Sequence, residues 1–137
     1  MGFSRHFLKN QNFVLTRLSG DINDQNLMQH VLELNNETEG IPDFRELADC
    51  RNIESLEKLT VQGTVNCAQS EINRPESLLA ILVTDSPLLY GLARAYQTFS
   101  EDRRKAVSIF TDVNEALAWL SDNRQEIELL NKFVNKV

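Results

Sequence analysis

The chain is poor in cysteine, proline and positive charge. Its two cysteines, Cys50 and Cys67, stand far apart and form no CxxC or Cys/His spacing. No zinc pattern is readable; one disulfide is formally possible, but nothing else suggests secretion, and both cysteines are read as reduced thiols. Lys and Arg number 14 against 20 Asp and Glu, a net charge of −6. The sign repels a phosphate backbone, so nucleic-acid binding is not expected, and adsorption on an anionic membrane is disfavoured. No apolar run approaches the roughly 20 residues a membrane helix needs. Met1 to Lys9 has no continuous apolar core, so no signal peptide is read there. His6 stands where a myristoylation pattern needs Ser or Thr. The sequon Asn36-Glu37-Thr38 would matter only in a secreted chain. A cytoplasmic protein is expected. Nucleophile-elbow, Walker and GxGxxG motifs are missing, and the two histidines, His6 and His30, share no ligand spacing. No catalytic, metal or cofactor site is expected.

What is present is globular: 137 residues, 42% hydrophobic and 25% charged, the size of one ordinary domain. Two β-prone runs, Phe3 to Leu8 and Phe13 to Ser19, flank a turn-like Lys9-Asn10-Gln11-Asn12 and predict an N-terminal hairpin. Leu27, Val31 and Leu34 recur at helical spacing behind the caps Asn23 or Asp24, predicting a helix to about Glu37. Phe44 to Cys50 reads as a strand. Thr60 then caps a helix reaching about Ile72, with Val61, Val65 and Ala68 inward. Leu78 to Val83 is apolar without alternation, as a central strand covered on both faces would be. Ser86 followed by Pro87 is a strong helix start. A strand from Ala106 to Phe110 and a helix from Asp112 to Leu120 follow.

Ser121 to Val137 predicts an extra C-terminal helix. Its stripe of Ile127, Leu130, Phe133, Val134 and Val137 must pack on the domain itself or on a partner, a second copy included. Strands alternating with helices give an α/β class: a central mixed sheet with helices packed on it, in a single domain. Residues 1–120 form the body and residues 121–137 its extension.

Four stretches carry a resemblance: Gly20-Asp21 before the first helix; Phe44-Arg45-Glu46-Leu47-Ala48-Asp49; Thr84-Asp85-Ser86-Pro87 with the helix through Gln97; and Asp112 to Leu120. Together they resemble the SpoIIAA-like family, which shares the STAS-type fold and is similar in fold to CRAL-TRIO lipid carriers. The resemblance covers roughly Phe13 to Leu120 and implies a bacterial, non-enzymatic domain. Three tasks follow from it as expectations: binding a partner protein, a switch by phosphorylation at a helix N-terminus, or contact with an apolar ligand or membrane surface. Thr60 stands at the family's acceptor position, in Leu59-Thr60-Val61-Gln62-Gly63. The family's Asp before the acceptor is here Leu59.

Other candidates come from the residues themselves. Asp49 and Asp85 lie near strand ends, where open α/β sheets gather ligands; they either cap turns or face a pocket. Tyr90 and Tyr96, with Phe99 and Trp119, are core aromatics or line an apolar pocket. Arg103-Arg104-Lys105, following Glu101-Asp102, reads as a solvated turn. The first expectation is therefore a STAS-type interaction module, with homodimerisation open. The second is a carrier or sensor of a small apolar ligand with transient membrane association. An enzyme built on Asp49, Asp85 and a histidine comes last.

Overall fold

A computed structural model describes residues 2–137. Five strands form one sheet whose spatial order is their sequence order. β1 (Gly2–Leu8) and β2 (Phe13–Asp21) make the antiparallel hairpin, with Leu8 opposite Phe13. Its turn is a single 3-10 turn closed by Asn12 at φ 50°, a left-handed conformation that Asn tolerates. β3 (Arg45–Ser55), β4 (Arg74–Leu82) and β5 (Arg104–Phe110) then add in parallel.

The crossovers are α1 (Asp24–Glu37), α2 (Val61–Gln69) and α3 (Pro87–Ser100). Each has the cap its sequence offers. Asn23 and Asn26 bond reciprocally at the start of α1. Thr60 accepts the Gly63 N–H at 2.8 Å. Ser86 accepts the Leu89 N–H at 3.2 Å, with Pro87 as first helical residue. After β5 come α4 (Val113–Leu120), capped by Asp112, and α5 (Arg124–Lys136), capped by Asn123.

Three successive crossovers that step in one direction put their helices on one face of the sheet when each is right-handed. The packing follows that rule. Leu27 and Val31 of α1, Cys67 of α2, and Leu89 and Ala93 of α3 share a core with Leu18, Cys50, Leu79 and Ile81. On the opposite face Phe13, Leu15, Leu47, Ala80 and Leu82 meet Ala116, Leu117 and Leu120 of α4 and Leu130 and Val134 of α5. β4 sends Leu79 and Ile81 one way and Ala80 and Leu82 the other, which is why its sequence shows no alternation. The tail stripe packs at home: Phe133 meets Phe13 edge to face with centroids 6.0 Å apart, and Arg17 Nη2 donates to the Val134 carbonyl at 2.7 Å.

Several boundaries differ from the sequence reading, β5 among them, which starts at Arg104 and not at Ala106. β3 runs on to Ser55, because its polar end pairs past a bulge with Ser19, Gly20 and Asp21 of β2. α2 stops at Gln69. There Asn35 accepts from the Ile72 N–H and donates to the Ser70 carbonyl, turning the chain out of the helix. β4 starts early, at Arg74, opposite Arg104.

Candidate functional site

The sheet order contains no reversal, so no crevice opens between diverging crossovers as it does in doubly wound folds. The free space lies instead between the sheet and the α1–α3 layer. It is a cavity of about 80 Å³ with an apolar wall. Leu18 of β2, Ala48 and Cys50 of β3, Leu79 and Ile81 of β4 form its floor; Leu27, Leu89, Leu92 and Ala93 form its roof. Small residues help make the room, since Ala48 and Ala93 both line it where larger side chains would take up space. The partly exposed Ile53, Leu56 and Leu59 of the β3–α2 connection line one end. Beyond them lies a second hollow of about 200 Å³. It shares Cys50, Ile53, Leu56 and Leu89 with the cavity and adds Arg51, Thr84, Ser86 and Leu88.

The other end of the cavity is polar, and its residues are held by a buried charge cluster. Glu46, Glu71, Tyr96 and His30 reach the cavity there. Arg104 Nε and Nη2 bond the two Glu71 oxygens at 2.9 Å each, and Nη2 also reaches Glu46 at 3.0 Å. Thr16 Oγ1 donates to Glu46 at 2.8 Å, and the Tyr96 hydroxyl donates to Glu71. Burial, together with the neighbouring Glu71, pushes the Tyr96 hydroxyl well above its ordinary range, so it stays a donor. Arg74 and Arg104 both stand 5.1 Å from the centre of the Phe44 ring. Arg104 Nη1 is the one buried side-chain polar atom without a hydrogen-bond partner among the described residues.

His30 is placed by a chain of contacts. It stacks on Phe3 with centroids 4.7 Å apart. Its Nδ1 lies 3.0 Å from Arg5 Nη1, and Arg5 is gripped by Glu33 and Glu37 at 2.7 Å each. Burial first, and the Arg5 charge second, push His30 down to about 4. The ring is therefore neutral near pH 7. Arg5 can only donate, so Nδ1 accepts and the proton sits on Nε2.

The candidates from sequence scatter. Tyr96 lines the cavity. Tyr90, six residues earlier and so about 120° around the helix from it, points outward and is half exposed. Asp49 faces the α5 side, as its phase with Leu47 requires, and is 2% exposed. There it bonds Arg51 at 2.9 and 3.0 Å and lies 3.6 Å from Arg17. Burial acts to raise its carboxyl, but the Arg51 bonds prevail and hold it below the usual range. Asp85 is exposed on the β4–α3 turn and lines neither hollow. As pocket residues, Asp49, Asp85 and Tyr90 are corrected. Thr60 is exposed at the start of α2, and its hydroxyl donates to Asp24 of α1 at 2.8 Å. Cys50 and His30 line the same cavity without a hydrogen bond between them, and burial pushes the Cys50 thiol up to about 12. Among the described residues no three His, Cys, Asp or Glu side chains gather as a metal site, and no helix is long and apolar enough to cross a membrane.

The charge cluster is what the sequence reading missed. Arg104 is no solvated turn residue: it opens β5 and is 5% exposed, while Lys105 beside it is exposed. Glu46 carried a signal, because it is in phase with Ala48 and Cys50 and hence inward, and an inward carboxylate needs a cation. Glu71 carried none.

No family model and no curated protein matches the chain. Among solved structures it is similar to an uncharacterised protein of the DUF3478 family from Shewanella loihica PV-4, described as having a SpoIIAA-like fold. The TM-score is 0.59 at 18% identity, over 88% of this chain and 94% of that one. The chain thus has a SpoIIAA-like fold.

Proposed function

We propose that this protein is a non-catalytic carrier or sensor of a small apolar ligand held between the sheet and α1–α3. One observation carries the reading: the core on that face is not filled, and the unfilled space runs from a polar end at Glu46 and Glu71 to a partly exposed apolar end at Leu56 and Leu59. Cores pack densely, and an apolar pocket with a few convergent polar groups is where a ligand site is first sought. An engineered apolar cavity of roughly 150 Å³ admits benzene. The 80 Å³ here therefore takes a few heavy atoms, and a longer ligand extends into the outer hollow. Leu88 borders that hollow and is 60% exposed, a suitable first contact for loading from a membrane surface.

Native mass spectrometry of the protein purified without detergent tests this. A small adduct should appear that is lost on denaturation. The filled variant Ala48→Leu should lack it while remaining folded. An adduct of equal abundance in Ala48→Leu would place the ligand elsewhere and end the reading.

A second reading, a partner-binding module switched at Thr60, rests on the Thr60–Asp24 contact. A phosphate on Thr60 would set about two negative charges against Asp24 and release α2 from α1. Thr60→Asp should then alter capture of a partner from a lysate, and Thr60→Val should not. Equal capture by both variants and the wild type would remove this reading.

A further inference from the structure

The four buried charges at the polar end of the cavity balance in number, although Arg104 Nη1 lacks a hydrogen-bond partner. Glu46 and Glu71 bring two negative charges, and Arg104 and Arg74 bring two positive ones. All four residues are buried. A ligand ion of either sign would add a buried charge with no counter-charge, which low-dielectric surroundings penalise by several kcal/mol. Yet the end is not apolar, and hydrogen-bonding capacity remains there. His30 Nε2 carries a proton and has no partner among the described residues. Glu46 accepts two bonds, from Thr16 and Arg104, of the roughly four a carboxylate can take. A donor and an acceptor are thus both available, fixed in place by Phe3, Arg5 and Arg104.

We propose that the cavity selects an uncharged ligand bearing a hydroxyl group, an alcohol and not a fatty acid or an amine, with the hydroxyl received at the His30–Glu46–Glu71 end. The hydroxyl is the group that uses both offers: its oxygen accepts from His30 Nε2–H, and its proton goes to a Glu46 or Glu71 oxygen. The alkyl part then lies along Ala48, Ile81 and Ala93 toward Leu56 and Leu59. This rests on the carrier reading above and adds the chemical class.

The test is calorimetric titration of the full chain at neutral pH with n-hexanol, hexanoate, hexylammonium and n-pentyl chloride. These are of similar length and differ at one end. n-Hexanol should bind at least about tenfold tighter than either ion, the margin that one satisfied hydrogen bond supplies. His30→Phe keeps a ring over Phe3 and removes the donor. It should lose about tenfold for n-hexanol and little for n-pentyl chloride. Should His30→Phe fail to fold, the four-probe comparison on the wild type decides alone. Hexanoate or hexylammonium binding as tightly as n-hexanol, in a manner abolished by Ala48→Leu, overturns this inference and leaves the carrier reading standing. Unchanged selectivity for n-hexanol in folded His30→Phe overturns it equally. Binding of none of the four overturns both.

Discussion

Arg104 grips Glu71 through two parallel hydrogen bonds of 2.9 Å, although 33 residues separate them and both are buried. Such a fork is specific to a planar guanidinium. Removing one partner leaves a buried charge uncompensated. Arg104→Met should therefore cost about 3–5 kcal/mol, and Arg104→Lys should recover only part of it. Urea unfolding measures this. Replacing Arg104, Arg74, Glu46 and Glu71 together by apolar residues should cost less than Arg104→Met alone, since no unpaired charge then remains. A quadruple variant less stable than the single one would refute the account.

His30 sets a pH dependence. Its folded value, about 4, lies below the ordinary 6.5. Between those values the unfolded chain takes up a proton that the folded chain refuses. Stability is thus full above 6.5 and falls as the pH drops toward 4, at up to about 1.4 kcal/mol per pH unit. Glu71, Glu33 and Glu37 oppose the shift and soften the slope. Urea midpoints should decline from about pH 7 to pH 5 more steeply in the wild type than in His30→Gln, which lacks the titrating ring. Parallel declines in both proteins would put the effect elsewhere.

Gly63 lies where any side chain would strike Asp24. A Cβ there would sit 2.2 Å from the Asp24 carboxylate carbon. Gly63→Ala forces Asp24 aside and breaks its bonds to the Thr60 N–H and hydroxyl, both 2.8 Å. The loss, about 1–2 kcal/mol, outweighs the gain of up to about 1 kcal/mol from a better helix former. In an Asp24→Ala background the same change should become stabilising, because only the helix gain is left. That reversal of sign is read from four thermal melts.

α5 closes the second core with Leu130 and Val134, both buried. Leu130→Ala should cost about 2–5 kcal/mol. Truncation after Leu120 should lower the melting temperature and leave the mass in light scattering unchanged, since the stripe is covered by Phe13 and Leu15 of its own chain. A fall in mass would instead mark α5 as an interface.

The architecture was largely legible because local signals agreed. The Ser86-Pro87 start, the hairpin turn before Phe13 and the unbroken run from Leu78 each named an element that the fold contains. The site was less so. Asp49 and Asp85 drew attention as acids near strand ends, but period-two alternation sends Asp49 to the α5 face, and Asp85 sits on an exposed turn. Arg104 was hidden by its neighbours. Between Arg103 and Lys105 it looks like one of three surface cations, and only the pairing of β5 with β4 turns it inward beside Arg74. A contact between residues 71 and 104 leaves no trace in local periodicity, and neither does an unfilled volume.

The late position of Arg104 in the chain bears on how the protein is made. Glu46 and Glu71 leave the ribosome well before Arg104, their ion-pair partner, and α5 follows later still to cover the second sheet face. A nascent chain ending within α3 carries both carboxylates but only Arg74 of the two buried cations that balance them. The domain is therefore built to close once, after β5 has emerged, and partial chains remain open to degradation until that strand docks.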